Sequence, residues 1–162
     1  MKKAIDVAKW LINRTHADDE VGAAITHLKV QKLLYYTEAW SQVLRGKPFM
    51  QEDFQAWAHG PVVQEVFDVF RDKKWESLPP QQLDVEFDDE ERELLEQVYD
   101  VYGEISAKKL EAMTHGERPW ISARNGLPAE ARCNAIISKA SIKEFFQDKY
   151  KEALADEENS QG

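Results

Sequence analysis

Cysteine, long apolar runs and basic charge are all scarce in this chain of 162 residues, and each scarcity excludes a class of protein. Cys133 is the only cysteine, so neither an intramolecular disulfide nor a zinc site of paired cysteines can form. We expect it to be a small buried residue rather than a reactive thiol. No apolar run approaches the roughly 20 residues that span a bilayer, and the first residues lack the apolar block of a secretory signal. These features predict a cytoplasmic protein with no membrane partner.

Basic residues are outnumbered, with 21 Lys and Arg against 30 Asp and Glu and a formal net charge of −9. Phosphate binding requires a cluster or stripe of Lys and Arg, which this sequence lacks, so we expect no direct binding of nucleic acid. The acidic balance instead favours encounter with a basic protein. The length and the 43% share of hydrophobic residues are typical of one soluble globular domain.

Sequence motifs of catalysis are also missing. The chain contains no glycine-rich phosphate loop, no nucleophile elbow and no histidine–glutamate zinc signature, and we expect neither a cofactor nor a metal. His59 and His115 each lie in a glycine turn that precedes a proline, and we expect each to hold its turn by a hydrogen bond to the backbone. The alternative is an enzyme in which His59 and His115 form a catalytic pair with Glu65 or Glu117.

Helical periodicity dominates what is present, and it predicts a mainly α, compact, single-domain bundle of about six helices. Thr26, Asp88 with Glu91, Ser106 and either Ser138 or Ser141 are suitable N-caps. In the helix after Thr26, one stripe is expected to face the core: Leu28, Leu33, Tyr36, Trp40, Val43 and Leu44. The charged residues of that helix are expected to stay in water: Lys29, Lys32, Glu38 and Arg45.

Two short segments, Phe54–Ala58 and Leu83–Val85, read as extended and are expected to pair, which limits β structure to one minor pairing. Between them, Gly60-Pro61 is expected to open a helix with proline at its first position. A polar loop is expected from His16 to Ala24. The domain is expected to cover residues 1–155, and the acidic residues 156–162 are expected to form a disordered tail.

Three motifs follow one another in a specific order. They are Leu28-Lys29-Val30-Gln31-Lys32-Leu33-Leu34-Tyr35-Tyr36, then Ala56-Trp57 with Gly60-Pro61-Val62-Val63, and finally His115-Gly116-Glu117-Arg118-Pro119-Trp120. Together they resemble the Panacea domain family, the SocA-like, phage-associated domains. The resemblance extends from about Ile5 to Tyr150, nearly the whole chain.

The resemblance implies an antitoxin of a bacterial or phage toxin–antitoxin pair, which neutralises a cognate protein toxin, encoded by a neighbouring gene, by direct binding. It leaves open a proteolytic adaptor that delivers the toxin to an ATP-dependent protease; neither role is enzymatic. A partly exposed tryptophan or tyrosine beside the His59 or Pro119 turn is the first place to look for the partner. The family signature, and with it the candidate partner-binding set, falls on Lys32, Tyr35, Tyr36, Trp57, His59, Gly60, Pro61, His115, Glu117, Pro119 and Trp120.

Overall fold

The computed structural model describes residues 1–18 and 25–161, most of them helical. In chain order the elements are α1 (Ala4–His16), α2 (His27–Leu44), β1 (Phe54–Trp57), β2 (Gly60–Val62), α3 (Gln64–Phe70) with a 3-10 turn (Arg71–Lys73), α4 (Asp89–Tyr102), α5 (Ala107–His115), α6 (Arg118–Arg124), β3 (Ile136–Ile137) and α7 (Lys139–Gln161). The predicted mainly α class is confirmed. From Asp19 to Ala24, the predicted polar loop lies outside the described residues.

Helix α2 lies at the centre of the fold and contacts α1, α3, α4, α5, α7 and β2. From His27 to Ala39, every residue except Leu28 is buried. Neighbouring elements cover this part of α2 on every side, so it has no solvent-exposed face. Lys29, Lys32 and Glu38 are buried, and the prediction that they stay in water is wrong. Amphipathic spacing predicted a surface helix, whereas its neighbours cover the polar side as well.

The buried charges of α2 are matched by backbone groups of other segments. Lys29 Nζ donates to the carbonyl of Gly103 at 2.6 Å, and Lys32 Nζ donates to the carbonyl of Pro61 at 3.3 Å. The Glu38 carboxylate accepts two backbone N–H bonds, at 3.1 and 3.0 Å, from the loop before β1. Because an unpaired buried charge is costly, these bonds fix where each segment docks on α2.

The strands form one antiparallel sheet in the order β2-β1-β3. The predicted pairing of Phe54–Ala58 with Leu83–Val85 is wrong, because β1 pairs with Gly60–Val62 and Ile136–Ile137 instead. The segment around Leu83 runs along α1, where Asn13 exchanges side-chain hydrogen bonds of 2.8 and 2.7 Å with the backbone of Gln81. Apolar and polar residues alternate in this segment because one side of it faces the core, and not because it forms a ladder of backbone hydrogen bonds with another strand.

Gly60 and Pro61 belong to β2, so the prediction that they open a helix is wrong. Proline is tolerated there because β2 is an edge strand, where the missing N–H leaves no neighbouring strand unpaired. Helix α3 begins only at Gln64, after Val63. The side chain of Gln31 accepts a hydrogen bond from the Val63 N–H at 2.8 Å and donates to its carbonyl at 3.3 Å. These two hydrogen bonds attach the C-terminal end of β2 to α2.

Most predicted helix boundaries are confirmed by their caps. The side chains of Thr26, Ser106 and Ser138 accept N-terminal hydrogen bonds, and Asp88 with Glu91 forms a full capping box. The predicted inward stripe fails at Leu44, which is exposed. Helix α7 continues through Gln161 with residues 151–160 exposed, and the disorder of residues 156–162 stays a prediction.

Candidate partner-binding site

The β1–β2 hairpin is held against the helical body by side chains of α6. Trp120 Nε1 donates to the carbonyl of Trp57 at 2.8 Å, and Arg124 Nη1 donates to the carbonyl of Ala56 at 2.8 Å. The guanidinium of Arg124 lies over the Trp120 ring, 4.7 Å from its centroid. The hairpin is therefore bound through its backbone, which leaves the Trp57 side chain partly exposed.

Gly60 allows the hairpin to approach α2 closely. Its φ of +104° is unfavourable for any residue with a Cβ, and a Cβ built there would lie 2.7 Å from Lys32 Cε and 2.8 Å from Thr114 Oγ1. The signature residues Lys32 and Gly60 are thus in contact across 28 positions of sequence. Only glycine fits at this contact without displacing its neighbours.

Lys32 is the most deeply buried cation described, with 1% of its surface exposed. Burial lowers the pKa of its ammonium group to about 7, and the nearby Glu111 carboxylate opposes that shift. Near neutral pH both protonation states are therefore populated. The neutral amine can still donate to Pro61, which keeps the hairpin attached in either state.

His59 and His115 meet at one carboxylate. His59 Nδ1 lies 3.5 Å from Glu111 Oε1, and His115 Nε2 lies 4.0 Å from the same oxygen. The carboxylate near both histidines is therefore that of Glu111, and not that of Glu65 or Glu117, as the catalytic alternative assumed. The spacing of Glu111 and His115, four residues apart on α5, is the sequence signal that identifies this pair.

His115 packs against Trp120 of α6, beside the β1–β2 hairpin, and its expected hydrogen bond to its own turn stays a prediction. The His115 ring stacks on Trp120 with centroids 4.1 Å apart. Burial lowers the pKa of His115, an effect larger than the opposing attraction of Glu111 and the opposing effect of the nearby Ala58 backbone in the β1–β2 turn. His59 is exposed at the tip of the hairpin. One histidine thus packs beside the hairpin while the other is open to a partner.

Glu117, the residue immediately before α6, contacts a buried tyrosine. Tyr36 Oη is 3.3 Å from both carboxylate oxygens, and Lys149 Nζ of α7 is 3.9 Å away. Burial raises the pKa of Glu117 to about 7, against the attraction of Lys149. The Tyr36 ring stacks on Tyr102 at 4.1 Å. Glu117 therefore joins α2, α6 and α7.

The signature residues divide by exposure. Within the candidate set, only His59 is exposed, and Trp57 and His115 are half-buried. The rest are buried: Lys32, Tyr35, Tyr36, Gly60, Pro61, Glu117, Pro119 and Trp120. Buried side chains reach no partner without rearrangement, and two of them, Lys32 and Trp120, hydrogen-bond the backbone of the hairpin. Which of the three accessible residues bind a partner stays a prediction.

A mostly apolar groove of about 320 Å³ lies beside the hairpin, and we call it the hairpin groove. Its lining residues are His27, Leu28, Gln31, Trp57, His59, Val62, Phe67, Arg71, Lys74 and Trp75. Trp75 stands at its rim with 70% of its surface exposed, and Trp57 packs edge-on against Phe67 at 4.8 Å. Tryptophan is usually well buried, but Trp75 lies two residues after the end of the 3-10 turn and is exposed.

Within the described part of the chain, no group of three or more His, Cys, Asp or Glu side chains is placed to hold a metal ion. None of the described helices combines the length and the apolar character needed to cross a bilayer. The arrangement of aromatic rings around an open groove is instead what protein-binding surfaces use for their anchors.

Comparison with known proteins connects this arrangement to a family. The family described as Antitoxin SocA-like, Panacea domain, matches residues 30–121, more than half of the chain. That match runs from α2 to α6 and includes most of the hairpin groove. Antitoxin SocA of Caulobacter vibrioides (strain NA1000 / CB15N) is 29% identical over 160 residues, covering 87% of this chain and 80% of that protein. No solved structure matches the chain.

Proposed function

Because the chain belongs to the family of Antitoxin SocA-like, Panacea domains, we propose that it is an antitoxin that neutralises a cognate protein toxin by binding it directly. The hairpin groove is the surface that we assign to the toxin. The observation that carries the assignment is the exposed Trp75, which stands beside the half-buried Trp57 inside the family-matched segment. Tryptophan is enriched among the residues that dominate binding energy at protein interfaces.

The charged side chains that line the groove indicate which chemistry a bound toxin segment would need. Arg71, Lys74 and two histidines line it, and the set of lining residues contains no Asp or Glu. In a chain with a net charge of −9, the charged side chains that line this apolar surface are thus the cations Arg71 and Lys74. A toxin segment that carries an apolar side chain next to a carboxylate fits both properties.

Co-expression tests the proposal. The chain is expressed with the product of the neighbouring gene, growth is scored, and the complex is recovered through a tag on this protein. Rescue of growth with a recovered complex supports neutralisation by binding. Rescue with loss of the neighbour, reversed when ATP-dependent proteases are blocked, assigns the adaptor role instead. A neighbour that is harmless alone and does not bind refutes the proposal.

A pair of variants tests the surface. Trp75→Ala removes the exposed ring and is expected to weaken the purified complex by about 30-fold, the effect of a binding anchor. Ile136→Ala is the matched control, because Ile136 is an apolar residue of similar exposure, 59%, outside the groove. Equal affinity of both variants would remove the hairpin groove from the interface, while the antitoxin role would still rest on the growth assay.

A further inference from the structure

A second groove, of about 400 Å³, lies between α2 and α4, and it shares no lining residue with the hairpin groove. We call it the α2–α4 groove. Trp40 and Leu44 line one wall, and α4 supplies the other, with Leu94 and Val98 beneath an exposed Val101. Leu44 and Val101 are 47% and 63% exposed, which is unusual for side chains whose helical spacing places them with core residues.

Helix α7 extends this apolar surface. Ile142, Phe146, Tyr150 and Leu154 follow one another at four-residue spacing on one helix face, with the first two buried and the last two exposed. The Trp40 ring contacts both Phe146, at 5.4 Å, and Tyr150, at 6.2 Å. The apolar stripe of α7 therefore passes the groove wall and continues beyond the body of the protein.

Acidic residues border this surface. Glu93 and Asp100 lie along the exposed edge of α4 with Gln97 between them, and α7 carries Asp156, Glu157 and Glu158 beyond Leu154. Two nearby cations are engaged in ion pairs, Arg45 with Glu90 at 2.7 Å and Arg92 with Asp89, whereas Lys143 and Lys151 of α7 have no ion pair among the described residues. The groove is consequently apolar at its floor and negative along the α4 side of its rim.

We propose that the α2–α4 groove, continued by Tyr150 and Leu154 of α7, is a docking site for an amphipathic helix with basic flanks that belongs to a partner protein. The apolar face of such a helix fills the groove, and its Lys and Arg side chains reach the acids of α4 and α7. A second copy of this chain is disfavoured, because it would bring like-charged edges together.

Synthetic helices test the chemistry of the occupant. The first probe is a labelled peptide of about four helical turns with leucines at i, i+3, i+4 and i+7 and lysines elsewhere; the second carries glutamates in place of the lysines. Fluorescence anisotropy with the full-length chain measures both. We expect saturable binding of the lysine peptide, weakened by salt, and no binding of the glutamate peptide. Absence of lysine-peptide binding, or equal binding of the two peptides, overturns the proposal.

A matched pair of variants locates the binding. Val101→Arg puts a cation into the groove and is expected to weaken lysine-peptide binding at least about tenfold. Val69→Arg makes the same change of charge at a position of similar exposure, 56%, on α3. Both positions are exposed, so both variants are expected to fold, which circular dichroism checks. Equal weakening by the two variants would show binding to overall negative charge and refute a defined groove.

Discussion

Replacing Gly60 by alanine is expected to destabilise the protein through two separable effects. A residue with a Cβ at a φ of +104° costs about 1 to 2 kcal/mol in backbone strain. The new methyl group would also lie 2.7 Å from Lys32 Cε and 2.8 Å from Thr114 Oγ1. Both neighbours are buried, so relieving this overpacking costs about a further 1 to 3 kcal/mol.

Gly46→Ala separates the two effects. Gly46 also has a positive φ, +72°, but nothing lies within 4 Å of the position of its missing Cβ. This control therefore carries backbone strain alone and is expected to cost about 1 to 2 kcal/mol, against about 2 to 5 kcal/mol for Gly60→Ala. Each kcal/mol corresponds to about 2 to 4 °C in melting temperature for a domain of this size.

Urea unfolding followed by tryptophan fluorescence measures both free energies, and thermal melts check them. The contact between the hairpin and α2 predicts a clear excess for Gly60→Ala over Gly46→Ala. Equal losses for the two variants would mean that Lys32 and Thr114 give way without cost. The close packing of the hairpin on α2 would then be refuted as the reason for glycine at this position.

Three further outcomes concern buried titratable groups. Because burial raises the pKa of Glu117 to about 7, the folded state holds that proton more tightly, and stability is expected to fall as pH rises from about 4.5 to about 7. Glu117→Gln removes this slope and is expected to exceed the wild type at pH 8 by up to about 3 kcal/mol, whereas parallel pH profiles in urea unfolding would contradict it. Because burial lowers the pKa of Lys32 to about 7, stability is expected to rise between about pH 7 and 10.5, and Lys32→Met should flatten that rise in the same assay. His115→Ala loses the ring that stacks on Trp120 and is expected to cost about 1 kcal/mol, or about 2 to 4 °C in melting temperature, whereas exposed His59→Ala should stay within about 0.5 kcal/mol. An unchanged melting temperature for His115→Ala would return the histidine pair to consideration as an enzyme site.

Local signals predicted the helix ends well, because a cap depends only on residues within one turn. Thr26, Asp88 and Ser106 are examples in which the side chain and its N–H partner are three residues apart. The same reasoning failed at Gly60-Pro61. A glycine–proline pair is compatible with both a helix start and an edge strand, and distant contacts with Lys32 and β1 decide between them.

The candidate site was predicted as a set of residues but not as an arrangement. The sequence placed His59 and His115 in two separate turns, whereas their meeting at Glu111 depends on how α5 packs beside the hairpin. The sequence did not predict any role for Arg124. Its four hydrogen bonds to backbone carbonyls of β1 and of the chain after α6 depend on folded geometry that no local pattern encodes.

The buried polar side chains of α2 also determine how much of the chain must be synthesised before the core can fold. Gln31 finds its partner at Val63, but Lys29 must wait for Gly103, and Gln42 bonds the carbonyl of Lys139 at 3.0 Å. A nascent chain that stops before α7 therefore contains a central helix with unsatisfied polar groups and uncovered apolar surface. We therefore expect the chain to complete its core, and to become protected from aggregation, only after α7 has emerged from the ribosome.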